Sequence, residues 1–254
     1  MRIPLVQHST RRRRERFRRV FFTGAELLVT GGVLVLLLVV HQLWWTNLEA
    51  REGAERRVEA LEREWGADPP AASSASASAP PGADRGNGGD GNVGGRPSSG
   101  APRASQAYAV LRIPRLHLRV PVAEGIDKRK VLNKGYVGHY THTQQPGQQG
   151  NFALAGHRNT HGEPFRYLNR LRKGDKVEVE TRDAVYTYTV GRILPRTSPR
   201  DSGVIQPVPR SLDRPAYGYG TPGRYLTLTT CTPEYTSRYR LVVWGQLTAT
   251  EPRR

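Results

Sequence analysis

The 254-residue chain carries 39 lysines and arginines against 22 acidic residues, a formal charge of +17 with a pI near 10.7. Such a balance would suit a nucleic-acid binder. Much of the excess, however, sits in one run, Arg11 to Arg14 with Arg16, Arg18 and Arg19, directly before an apolar segment. Placed there, the charge orients a membrane helix, and nucleic acid is not expected as a partner.

Residues 1–19 therefore read as a basic cytoplasmic tail. Residues 20–45 are mainly apolar, Glu26 is their only acidic residue, and the stretch 27–40 carries no charged side chain. Spanning a hydrocarbon core takes roughly 20 helical residues, and Glu26 lies where its carboxylate reaches the cytoplasmic headgroups. Trp44 and Trp45 mark the far interface, as amphipathic rings do. No small-x-small cleavage site follows, so the segment is expected to be an uncleaved signal-anchor. Its N-terminus would be inside the cell and everything after residue 45 outside.

Residues 46–106 are expected to form a stalk and a linker. Ala54, Val58, Leu61 and Trp65 recur at helical spacing within a Glu/Arg-rich stretch. Two turns of stripe leave open a solvated stalk, a weak coiled-coil contact or a helix lying on the membrane; the solvated stalk is the default. Residues 67–105 are Ala, Ser, Gly and Pro with scattered charges, too poor in apolar surface to offset the entropy of ordering. A flexible tether is expected there.

Only 107–247 looks able to bury a core. Alternation at 108–113 and 117–122, broken by Pro114, predicts two strands. A helical turn is expected at 127–132, a buried strand at 151–155 and a helix at 164–171. Residues 177–180 and 185–193 flank Arg182-Asp183 as a hairpin. A long Pro/Gly-rich loop covers 198–220, and strands at 225–230 and 241–247 close the domain. About eight strands with little helix suggest an all-β, closed barrel.

The chain has one cysteine, Cys231. Exported cysteines usually pair; a lone one is a buried apolar residue, an intermolecular link or a reactive thiol. Cys231 stands where one strand stops and Arg240 where the next starts. If those strands are antiparallel neighbours, both residues face one pocket. A permanent guanidinium there favours thiolate and can donate to an oxyanion, although a strand-end arginine is more often a surface residue. Of seven histidines, His157 is favoured as proton carrier: it ends the apolar run 152–155 and follows Gly156. His139, His142 and His161 lie in polar, loop-like stretches.

At these residues the sequence resembles the sortase family. Thr227-Leu228-Thr229-Thr230-Cys231 matches the signature T-L-x-T-C, and Arg240-Leu241-Val242-Val243 matches the R-L-x-V that follows it. The block from Gly150 to Arg158 is similar to the segment carrying the sortase histidine. The step from Cys231 to Arg240, the Gly138-His139-Tyr140 segment and the N-terminal anchor look most like class E sortases of actinobacteria. Class D is the main rival. The Asp-Pro-aromatic lid motif of pilin-polymerising enzymes is missing, since Asp68-Pro69 is followed by Pro70.

The resemblance implies that residues 107–254 are a sortase catalytic domain with Cys231 as nucleophile, His157 as proton carrier and Arg240 as oxyanion donor, and with Thr230 among the substrate-binding residues. It implies cleavage of an LPxTG-like sorting signal, L-A-x-T-G in class E, between Thr and Gly. The carboxyl side would pass through a thioacyl intermediate to an amine of a cell-wall precursor. Expected partners are exported proteins bearing C-terminal sorting signals, a peptidoglycan-precursor amine and the membrane. No cofactor and no metal are expected: Glu178, Glu180 and Asp183 could bind Ca²⁺, as loops of some class A sortases do, but scattered acids usually form a solvated face. The rivals are an L,D-transpeptidase, whose cysteine would follow Ser-His-Gly where Thr229-Thr230 stands here, and a non-catalytic wall-binding module.

Overall fold

The computed structural model describes residues 8–66 and 102–253. They divide between Thr46 and Asn47 into two units. Helix α1 (His8–Gly66) begins in the first. Between Val20 and Trp45 the described large apolar side chains are exposed, and the segment is long and apolar enough to cross a membrane. Most of the tether expected at 67–105 lies outside the described residues.

The second unit holds the end of α1 and a barrel of eight strands: β1 (Ala107–Ile113), β2 (Leu118–Glu124), β3 (Val137–His139), β4 (Gly150–Ala155), β5 (Lys176–Glu180), β6 (Ala184–Thr197), β7 (Arg224–Thr232) and β8 (Tyr239–Pro252). The sheet closes in the order β1-β2-β3-β4-β7-β8-β6-β5, and closure leaves no edge unpaired. β2–β3 and β4–β7 run parallel, the other pairs antiparallel. Strand periodicity sorts the side chains by face. Leu111 and Ile113, Phe152 and Leu154, Leu226 and Leu228, and Leu241 and Val243 all belong to the barrel's central cluster. The intervening residues therefore point outward, and on β7 these include Thr227, Thr229 and Cys231.

Three local expectations need revising. β3 was not foreseen, because three residues give too short an alternation to see. His139 is not on a polar loop but wholly buried on β3, with Nδ1 2.8 Å from Glu124 Oε2. The helix expected at 164–171 is a series of turns with one 3₁₀ turn, Leu168–Arg170. Phe165, Leu168 and Leu171 are spaced by three, which suits the 3₁₀ period, and all three enter the central cluster.

The stripe at the end of α1 is not solvated. Val58 and Leu61 are 0% and 2% exposed and pack with Val110 of β1, Ala123 of β2 and Val131. Glu62 pairs with Arg112 and Arg119 on the same strands. The Arg119 hydrogen bond is the main cause holding the Glu62 carboxyl below its ordinary range. The Arg253 guanidinium lies 4.5 Å from the ring centroid of Trp65. The stripe showed an apolar face; its partner, the outer face of β1 and β2, is set by the fold.

Candidate active site

β7 is flanked by β4 and β8, and the three residues singled out in the sequence lie at the same end of these strands. Cys231 is directly opposite Arg240 in the antiparallel β7–β8 ladder. Ala155 and Thr229 form the last pair of the parallel β4–β7 ladder; His157 and Cys231 each lie two residues beyond it. The histidine segment is fastened to β7 by Gly156 N–H donating to Thr229 O (3.2 Å) and by Thr230 Oγ1 donating to Gly156 O (2.8 Å). Thr230, expected to bind substrate, is thus buried with its hydroxyl engaged one residue before His157.

Cys231 is a free thiol at intermediate exposure. Arg158 is buried and reaches back to β7, donating from Nη1 to Cys231 O (3.3 Å) and Thr232 Oγ1 (3.0 Å). Arg240 donates from Nη1 to Ser237 O (2.9 Å) and Tyr239 O (3.0 Å). These bonds fix the guanidinium at the start of β8 while a fork of further N–H donors remains on the same group.

The His157 ring is held from two sides. Nε2 is 2.9 Å from Asn133 Oδ1, and the ring stacks on His161 with centroids 5.3 Å apart. With Asn133 accepting, the ring proton sits on Nε2 and the Nδ1 lone pair can take another. Burial, then the His161 ring and the Lys128 ammonium, push the imidazole down to about 4. It is therefore neutral across the physiological range and able to accept a proton. Gly156 leaves the space this requires: a Cβ there would meet the Phe165 ring at 2.7 Å.

Asn133 and Arg158 touch the candidate residues His157 and Cys231 and were not assigned from the motifs. Asn133 lies 24 residues before His157 and carries no local signal. Arg158 could have been noticed, since it directly follows the histidine. The loop 198–223 covers the outer face of the same strands. Val204 O accepts from Thr227 Oγ1 (3.2 Å) and Trp244 Nε1 (3.1 Å), and Gln206 O accepts from Asn151 Nδ2 (3.0 Å). Val204 lies in a four-residue 3₁₀ turn, Ser202–Ile205, and Gln206 directly follows it. Two concavities, of about 270 and 640 Å³, flank the end of α1 and neither is lined by Cys231. Of the acids considered for Ca²⁺, Glu180 is engaged by Arg112 (3.1 Å) and Arg253 (2.9 Å).

A family model described as the sortase domain matches residues 111–248. Sortase SrtE1 of Streptomyces coelicolor is 43% identical over 233 residues, covering 90% of this chain and 57% of that protein. Sortase SrtE2 of the same organism is 35% identical over 231 residues, covering 89% of this chain and 81% of that protein. The chain thus spans little more than half the length of the first relative. Among solved structures, Sortase E1 from S. coelicolor with a tripeptide in its active site is 51% identical. It superposes with a TM-score of 0.56, covering 60% of this chain and 94% of that one. Sortase E from Streptomyces avermitilis gives 42% identity and a TM-score of 0.52 over 59% and 93% of the two chains.

Proposed function

This chain belongs to the sortase family of cysteine transpeptidases, alongside class E enzymes, and from that premise we propose that it joins exported proteins to a cell-wall amine at the Cys231 thiol. The observation carrying the proposal is that Cys231, its cross-strand partner Arg240 and a neutral His157, two residues past the last pair of the β4–β7 ladder, all lie at one end of the barrel.

The steps follow from these groups. As Cys231 Sγ attacks the Thr carbonyl of an L-A-x-T-G-type signal, its proton passes to the imidazole. The carbonyl oxygen becomes an oxyanion, which Arg240 stabilises by charge-assisted donation. The C–N bond to Gly then breaks, and the imidazolium gives its proton to the leaving amine. A thioester remains. In the second half an incoming amine forms the new C–N bond, its proton passes to the imidazole, and the C–S bond breaks. Sulfur regains a proton from His157. Each peptide bond broken is matched by one formed, with no redox change.

The resemblance to class E, rather than any contact described above, is the support for alanine at the second signal position. The basic run before the apolar part of α1 supports an N-terminus inside and a barrel outside the cell membrane. The loop 198–223, roofing β4, β7 and β8, is proposed to select the signal.

The test is to incubate the full chain in detergent micelles with an L-A-x-T-G peptide and a small amine, with mass spectrometry as readout. The transpeptidation product and a thioacyl adduct on Cys231 are expected, and both are lost in Cys231→Ala. Folded protein that joins no L-x-x-T-G variant to any amine refutes the proposal.

A further inference from the structure

The segment that follows His157 contains a costly turn. His161, Gly162 and Glu163 have φ of 51°, 81° and 52°. Only the middle one lacks the side chain that makes the left-handed region unfavourable. Such a turn persists where its surroundings hold it. Here the hold comes from α1. Asn47 Oδ1 accepts from Gly162 N (2.9 Å), and its Nδ2 donates to Glu163 Oε1 (2.8 Å). One helical turn on, Arg51 donates from Nε to Gly162 O (3.2 Å) and from Nη2 to Glu163 Oε2 (3.0 Å). Two side chains thereby make four bonds to two residues of the turn.

Both supports of the His157 ring depend on this region. His161, the residue stacked on it, lies inside the clamped turn. Asn133, its hydrogen-bond partner, leads into Gly135. A Cβ at Gly135 would lie 2.7 Å from Ala50 O and 3.4 Å from His161 O. The helix backbone thus also seats the Asn133 connection.

The clamp reaches further. The Glu163 side chain is 5% exposed, and Oε2 also accepts from Arg166 Nη1 at 2.5 Å. Arg166 Nη2 is 3.4 Å from Glu234 Oε1 and 3.4 Å from Tyr235 Oη. These two residues belong to the connection between Cys231 and Arg240. A continuous chain of charged contacts thus runs from α1 through the histidine segment to the β7–β8 connection.

We infer that Asn47 and Arg51 are positioning residues for the reaction, holding the His157 segment and the β7–β8 connection through Gly162 and Glu163. The inference rests on the proposed role of His157, and α1 becomes part of the catalytic apparatus as well as a candidate anchor.

The experiment compares full chains in micelles carrying Asn47→Ala, Arg51→Ala, Arg51→Lys or Glu62→Gln. Glu62→Gln weakens the pairing of the same helix with β1 and β2 but leaves the clamp intact. A small misplacement of a reacting group costs on the order of tenfold to a hundredfold in rate. Asn47→Ala and Arg51→Ala should lower kcat within that range with KM little changed. Arg51→Lys should recover part of the loss, and Glu62→Gln should keep the parental kcat. Equal kcat in Arg51→Ala and the parent, or an equal fall in Glu62→Gln, overturns the inference. The imidazole NMR resonances of His157 and His161 decide the point without turnover. Arg51→Ala should displace both and Glu62→Gln neither; the reverse, or no displacement, also overturns it. An inactive parent whose resonances respond as expected would refute the proposed function and leave the clamp standing.

Discussion

Cys231 and Arg240 are directly opposite each other in the β7–β8 ladder. Residues so paired project to the same face with Cβ atoms about 4.5–5.5 Å apart, and on β7 that face is the outer wall of the barrel. The ladder therefore places the base of the Arg240 side chain beside that of Cys231 on one face. Both bonds that tether the guanidinium use Nη1, so the remainder of its fork can meet a developing oxyanion.

Arg240→Ala should lower kcat by roughly 10²–10³, the range for loss of an oxyanion donor. Arg240→Lys should recover little, since an ammonium keeps the charge but not the planar fork. Single-turnover acylation of a signal peptide measures this, with circular dichroism to establish that each variant is folded. Acylation by Arg240→Lys at the parental rate would mean that only charge matters.

The strand ends carrying Cys231 and Arg240 were legible because alternation stops at one and restarts at the other, and a nine-residue step permits a hairpin. The barrel could be read from the number of alternating runs. What escaped notice has a common cause. β3 is three residues long, and His139 became buried only because Glu124 from another strand meets it. The stripe of α1 was visible, but its partner face forms only when β1 and β2 pair. Asn133 and the clamp at Gly162 and Glu163 depend on contacts 24 to 116 residues apart, which no local pattern encodes.

The imidazole of His157 supplies a prediction in pH. Burial is the first cause of its depression to about 4, followed by His161 and Lys128. Its free value is about 6.5. As pH falls through the folded value, the ring takes a proton and can no longer accept one from the thiol. The acid limb of kcat/KM should therefore lie well below 6.5. Lys128→Gln removes one opposing charge and should move that limb upward. Stability has the same sign: the contribution of the neutral ring is complete above 6.5 and is lost as pH falls towards 4. A pH–rate profile of parent and Lys128→Gln checks the first point. An acid limb at 6.5 in both would show the ring to be solvated during turnover.

Gly156 offers a steric test next to the chemistry. An added Cβ would lie 2.7 to 3.0 Å from three Phe165 ring atoms, and Phe165 is fully buried in the central cluster. The ring cannot move away freely, so the strand end carrying His157 must shift instead. Gly156→Ala should cost about 1–3 kcal/mol, as overpacking typically does. It should also lower kcat more than its stability loss alone would at a temperature where the variant is fully folded. Restored activity in Gly156→Ala/Phe165→Leu, which makes room for the methyl group, would tie the effect to this contact.

The end of α1 behaves as part of the barrel if its apolar stripe and its polar anchors act together. Leu61 is 2% exposed and sits among Val58, Val110 and Ala123. Leu61→Ala should therefore cost about 2–5 kcal/mol through lost burial and an unfilled cavity. Because Asn47, Arg51 and Glu62 also join the helix to β1, β2 and the Gly162 turn, the loss should appear in the main thermal transition. Ala54→Ser, a smaller perturbation on the same face, should shift that transition less, and Arg56→Ala, on the exposed side, hardly at all. Calorimetry of the full chain in micelles gives the shifts, and amide exchange over 50–61 locates them. An unshifted transition with fast exchange in that segment would mean that the helix docks and undocks apart from the barrel. A single shifted transition, with slow exchange restored only when Leu61 is present, would place the helix inside the same cooperative unit as the strands that carry the thiol.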